Sequence, residues 1–150
     1  MNKDIRALDP ASLWNNFSDL NAVPRGSKKE EKVIQFMVNF GKKLNLETVV
    51  DHVGNVIIKK PATKGMEDRV GVILQGHIDM VWQKNADTDF DFETQGIDSF
   101  VDGDWVKARG TTLGADNGMG VAAALALLAS HDIPHILHLY TDTSTFTKQL

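Results

Sequence analysis

Apolar side chains at Val33, Phe36, Met37, Phe40 and Leu44 recur at intervals of three and four, the period that lines one face of an α-helix. Ser27 and Glu30 stand just ahead of them in S-x-x-E spacing, which predicts a capping box. Leu13, Trp14, Phe17 and Leu20 share the period and predict a shorter helix across Pro10 to Leu20, with Pro24-Arg25-Gly26 as the break. After Leu46 the period changes. LETVVD and NVIIKK are β-branched runs flanking His52-Val53-Gly54, and they predict two paired strands joined by a tight turn. Pro61 to Asp68 is a polar connection. VGVILQ, Val70 to Gln75, is nearly continuously apolar and predicts a strand buried on both faces. Asp87 to Asp104 reads as a long acidic loop holding one short strand, followed by a strand at Trp105 to Ala108. Asn117 to Ser130, rich in Ala and Leu, predicts a helix buried on most sides, and Ile136 to Tyr140 one more buried strand. Strands alternating with helices predict an α/β layer architecture with a mostly parallel sheet.

Composition narrows the function classes. At 150 residues, 42% hydrophobic and 24% charged, the chain has the size and balance of one globular domain. Its net charge of −4 gives no electrostatic reason to expect a nucleic acid, which would want Lys and Arg gathered on one face. No cysteine is present, so any metal must be held by His and carboxylates. The apolar run Val121 to Ala129 is too short to span a bilayer, and MNKDIRALDP lacks the apolar stretch of a secretory signal. A cytoplasmic location is the expectation.

Candidate chemistry falls in two places. His77 and Asp79 sit at the carboxyl end of VGVILQ, where ligands gather in α/β sheets. Their i, i+2 spacing sends both side chains to one face of extended backbone. An imidazole there can ligate zinc while the carboxylate orients the ring, or the pair can be a strand-end histidine beside a turn-forming aspartate. The second place is the Gly-punctuated stretch Gly110 to Gly118, centred on Asp116. Asp116 can cap the following helix or bridge two divalent cations, one oxygen to each. Gly118-Met119-Gly120-Val121-Ala122-Ala123 also fits the dinucleotide pattern G-x-G-x-x-A, with Asp142 beyond it. Its glycines, however, fall inside the predicted helix rather than in the turn before it. His52, His131, His135 and His138 share no organising pattern and read as surface or packing histidines.

DHVGNVIIKKPAT, GVILQGHIDMV and WVKARGTTLGADNGMG, in this order and spacing, resemble bacterial aminoacyl-histidine dipeptidases (peptidase D) of the dizinc aminopeptidase and carboxypeptidase superfamily. The resemblance runs over about residues 9–135. It implies a three-layer α/β sandwich with a mostly parallel mixed sheet, residues 1–150 being the N-terminal portion of a peptidase catalytic domain. It implies hydrolysis of Xaa-His dipeptides by a water activated between two zinc ions, with His77 ligating one zinc and Asp116 bridging both. Asp79 is then the catalytic carboxylate acting on the site from behind the ligands. Manganese or cobalt would suit the same donors. A dipeptide substrate and a homodimer, as in relatives, are the implied partners. In the family a Glu-Glu pair follows the next strand and supplies the general base and a ligand. Here that stretch reads ILHLYTDTSTFTKQL, without glutamate. Residues 136–150 are therefore expected to be a divergent tail, and the chain a truncated or frameshifted product that binds zinc poorly alone. A non-catalytic α/β domain acting by binding or pairing is the second reading.

Overall fold

The computed structural model describes residues 4–133 and 137–142. A 3-10 turn, Ile5–Ala7, leads into α1 (Ala11–Asn21) and α2 (Glu31–Lys43). Strands β1 (Glu47–Val50), β2 (Val56–Lys60) and β3 (Val72–His77) follow. The short ribbon β4 (Ser99–Asp102) and β5 (Trp105–Ala108), α3 (Ala115–Ala129) and β6 (Leu137–Asp142) complete the described chain. The helical and strand periods thus place the elements where expected.

Four strands form one sheet in the order β1-β2-β6-β3. The α/β class and the mixed sheet are as expected, but the mostly parallel arrangement is not found among the described residues. β1 pairs antiparallel with β2 and β2 antiparallel with β6, while β3 and β6 run parallel. The cause is local for the first pair. Asp51 folds the connection back on itself, its Oδ1 accepting the backbone N–H groups of Val53 and Asn55, each at 2.9 Å. A turn that tight can join only antiparallel neighbours.

Register shows which face is covered. Thr48, Ile58 and Leu139 are cross-strand partners, as are Val56, Thr141 and Gly76. α2 lies over the first row, with Gly41 against Thr48 and Ile58, and α3 over the second, with Asn117 and Val121 against Gly76. Both helices therefore share one face. Between them and the sheet, Val33, Met37, Val56, Ile58, Val121, Leu125 and Leu139 form a core with Leu20 of α1. Burying each such side chain contributes about 1.5–3 kcal/mol. Phe17 and Ile5 pack against Ala122 in a second cluster that seats α1 on α3.

The described residues thus supply two of the three expected layers. On the opposite face Ile57, Tyr140 and Gln75 form one row, and Lys59, His138 and Ile73 the next. β3 was expected to be buried on both faces. It instead occupies an edge among the described strands, with Val72 54% and Ile73 67% exposed.

The predicted capping box is also corrected. α2 begins at Glu31 with no side-chain cap hydrogen bond. Glu30 accepts from the backbone of Lys28, and Ser27 turns its hydroxyl elsewhere. No described helix is long and apolar enough to cross a membrane.

Candidate metal centre at the end of strand β3

β3 ends at His77, and the chain then crosses the break between α1 and α2. There Met80 N–H donates to Arg25 O (2.8 Å) and Ser27 N–H to Met80 O (3.2 Å). A second loop is laid beside it: Thr112 N–H donates to Gln83 O at 2.9 Å, and Thr112 Oγ1 to Val81 O at 2.8 Å. These bonds carry the start of α3 to the end of β3.

His77 and Asp116, 39 positions apart in sequence, meet with His77 Nε2 3.1 Å from Asp116 Oδ1. The other ring nitrogen, Nδ1, lies 3.1 Å from both the Oδ1 and the backbone oxygen of Asp79. The two carboxylates differ in setting. Asp79 is 6% exposed at its side chain and Asp116 98%. Asp79 is thus the fixed inner partner of the ring and Asp116 the outer one. All three residues line an open cleft of about 380 Å³ with Met80, Thr112 and Leu113. Burial alone would lower the pKa of His77. The hydrogen bond to Asp116 and the charge and hydrogen bonds of Asp79 outweigh it and raise the pKa.

The Asp116 carboxylate turns to His77. The residue ahead of α3 is Gly114, in the left-handed region at φ 71, and the helix is kinked at Asp116 and Asn117. Asp116 itself keeps non-helical backbone, φ −90 and ψ 108, and the Asp116-Asn117 peptide is cis. Gly118 and Gly120 lie inside α3, so they cannot form the strand-to-helix turn that a dinucleotide fingerprint needs. His52 and His131 are exposed and His138 is half-buried on β6. None of the three lines the cleft. His135 lies outside the described residues, as does the stretch after Asp142.

Two residues beside the site, Arg25 and Ser27, carry roles that the sequence does not mark. Arg25, 1% exposed, ties three segments together. Its Nη2 donates to Gly114 O (2.7 Å) and Asn21 Oδ1 (3.0 Å), and its Nη1 to Ile78 O (3.3 Å) and Asp79 O (3.5 Å). Burial lowers its pKa to about 10 against the charge of Asp79, which raises it. The guanidinium stays charged at neutral pH. Ser27 Oγ donates to Asp79 Oδ2 at 2.5 Å. No local signal marks this role in either one, because all their partners but Asn21 lie 52 to 89 positions away and Arg25 mostly meets backbone carbonyls.

Among the described residues no group of three or more His, Asp or Glu stands ready to hold a metal ion. His77 and Asp116 offer two converging donors.

No family model matches the chain. It is 48% identical over 132 residues to the cytosol non-specific dipeptidase of Escherichia coli, a match covering 88% of this chain and 27% of that protein. Its fold superimposes on the crystal structure of aminoacylhistidine dipeptidase from Vibrio alginolyticus with a TM-score of 0.91 and 48% identity, covering 94% of this chain and 29% of that one. The chain resembles the N-terminal part of a dipeptidase. It spans little more than a quarter of these relatives' length. Aminopeptidase PepT from Bacillus cereus matches at a TM-score of 0.70 and 25% identity, over 93% of this chain and 39% of that one. A Staphylococcus aureus tripeptidase, at 20% identity and a TM-score of 0.71 over 95% of this chain and 37% of that one, shares the fold.

Proposed function

We propose that this chain is the N-terminal portion of the catalytic domain of a metal-dependent, cytoplasmic dipeptidase acting on Xaa-His type substrates. The observation that carries the reading is the convergence of His77 Nε2 and Asp116 Oδ1 at 3.1 Å in one open cleft, with Asp79 on the other ring nitrogen. A neutral imidazole and a carboxylate are donor types that zinc takes. A metal-ligating histidine commonly gives its second nitrogen to a carboxylate. The similarity to two dipeptidases at 48% identity supports the same reading.

The residues present fit half of a two-ion site. His77 would ligate one zinc, Asp116 would bridge two, and Asp79 would hold the His77 ring in place. A catalytic zinc is held by about three protein groups, so the remaining ligands and the general base must come from residues beyond this cluster. When bound, the metal would polarise the scissile carbonyl and lower the pKa of a bound water. Manganese or cobalt could stand in for zinc, and a homodimer is the proposed assembly.

Calorimetric titration of the full chain with zinc chloride tests the site. Weak binding is expected, falling at least about tenfold in both His77→Ala and Asp116→Ala, a loss of ~1.4 kcal/mol or more. Equal binding by the wild type and both variants would rule out these donors. The chain alone should not hydrolyse a Xaa-His dipeptide, and turnover would overturn the view that its catalytic set is incomplete.

The second reading, a non-catalytic domain that acts by pairing, draws on the exposed edge at Val72 and Ile73. Zinc binding dependent on His77 counts against it.

A further inference from the structure

We propose that Ser27 is a positioning residue of this site, holding Asp79 so that the His77 imidazole keeps Nε2 turned toward Asp116. The proposal rests on the metal-site reading for what Nε2 would hold, but its test needs no metal.

The backbone first brings Ser27 into place. Gly26 and Met80 form a parallel bridge, closed by the bonds Met80 N–H to Arg25 O and Ser27 N–H to Met80 O. A Cβ at position 26 would overlap the Trp82 ring, so a glycine lets the two segments come this close. Ser27 Oγ then lies 2.5 Å from Asp79 Oδ2, while Asp79 Oδ1 faces His77 Nδ1 at 3.1 Å. The two oxygens of one carboxylate thus have separate partners.

That division bears on the ring, whose Nδ1 lies 3.1 Å from the Asp79 backbone oxygen as well as from Oδ1. The terminal torsion of an aspartate is broad, so without a partner on Oδ2 the carboxylate can swing Oδ1 away from Nδ1. A hydroxyl donating to a carboxylate makes a strong, charge-assisted bond that resists this rotation. With Oδ1 held, the neutral imidazole keeps its proton on Nδ1, facing a buried carboxylate, and leaves the Nε2 lone pair for the cleft. Ser27 itself lies at the surface, so removing its hydroxyl leaves the core intact. The competing outcome is that a water replaces the hydroxyl and the ring does not change.

The test is long-range nitrogen–proton NMR of the His77 ring in the full, metal-free chain, at a pH where the ring is neutral. The wild type should show the Nδ1–H tautomer. Ser27→Ala should raise the Nε2–H population several-fold, and Ser27→Thr, which keeps the hydroxyl, should restore the wild-type spectrum. A Ser27→Ala spectrum identical to wild type, or a wild type already in the Nε2–H form, would overturn the proposal. Should Ser27→Ala lose its fold by circular dichroism, Ser27→Cys takes its place, with a weaker donor and an intermediate population expected; a wild-type spectrum there is equally fatal. A separate zinc titration showing no binding by the wild type would sink the metal reading alone and leave the tautomer result standing.

Discussion

Replacing Arg25 by alanine should cost this small fold much of its stability, because one guanidinium hydrogen-bonds α1, the end of β3 and the start of α3 at once. Arg25 is 1% exposed. Its removal leaves Asn21 Oδ1 and Ile78 O, which it holds at 3.0 and 3.3 Å, without that partner, and leaves Gly114 O, held at 2.7 Å, with the Gly118 N–H at 3.2 Å. Leaving a buried acceptor unpaired costs about 1–3 kcal/mol. Neighbouring groups relax and water enters from the open cleft, so these costs will not simply add. The comparable measured case, removal of one partner from a buried charged pair, costs about 3–5 kcal/mol. Against a typical stability of about 5–15 kcal/mol that is a severe loss. At about 2–4 °C per kcal/mol for a domain of this size, it lowers the melting temperature by roughly 6–20 °C. Far-UV circular dichroism melts and urea titrations measure it, with an unchanged urea slope showing that both proteins unfold the same surface. Arg25→Lys should fall between, since one ammonium cannot span acceptors on three segments. A loss below about 1 kcal/mol in Arg25→Ala would refute the reasoning. It would mean that the burial which lowers the Arg25 pKa to about 10 cancels what its hydrogen bonds contribute.

Gly114→Ala should destabilise by at least about 1–2 kcal/mol, the cost of a left-handed conformation for an L-residue, because Gly114 has φ 71 and a Cβ there would meet Arg25 Nη2 and Met80 Sδ. A wild-type urea midpoint would refute this. The raised pKa of His77 fixes the sign of a pH effect. Its stabilisation is full below the unfolded imidazole value of about 6.5 and is lost as pH rises through the folded value. The melting-temperature gap between wild type and His77→Gln should therefore be wider at mildly acidic than at mildly alkaline pH, though modest because Asp116 is 98% exposed. A flat or reversed gap would refute the assignment. Ile73→Lys, placing a charge on the exposed β3 edge, should reduce concentration-dependent self-association in sedimentation. Unchanged sedimentation would show that this edge is not the contact.

The elements were legible because their signals are local. Val33 to Leu44 carry the helical period within one segment, and the β-branched runs around Asp51 contain both strands and their turn. Donor chemistry was legible too, since a chain without cysteine leaves only His and carboxylates for a metal. The placement of His77 at a strand end followed from its neighbours, and the similarity of the three motif segments to dipeptidases is written in the residues themselves.

Tertiary structure decided the rest, and for one physical reason: the deciding contacts lie far apart in sequence and often involve backbone atoms, which every residue carries alike. Ser27 and Glu30 have the spacing of a capping box, but the hydroxyl goes to Asp79, brought alongside by the Met80 bridge. Asp116 has the position of a helix cap, yet its carboxylate faces His77. Arg25 looks like part of a break and proves to be buried, because its acceptors are carbonyls with no sequence signature. VGVILQ reads as a doubly buried strand, and only the order of the described strands makes it an edge among them. By itself the sequence narrowed the candidate donors to histidine and carboxylate side chains; the fold decided that His77 and Asp116 meet, with Asp79 on the other ring nitrogen, Ser27 on Asp79 and Arg25 on the backbone beneath.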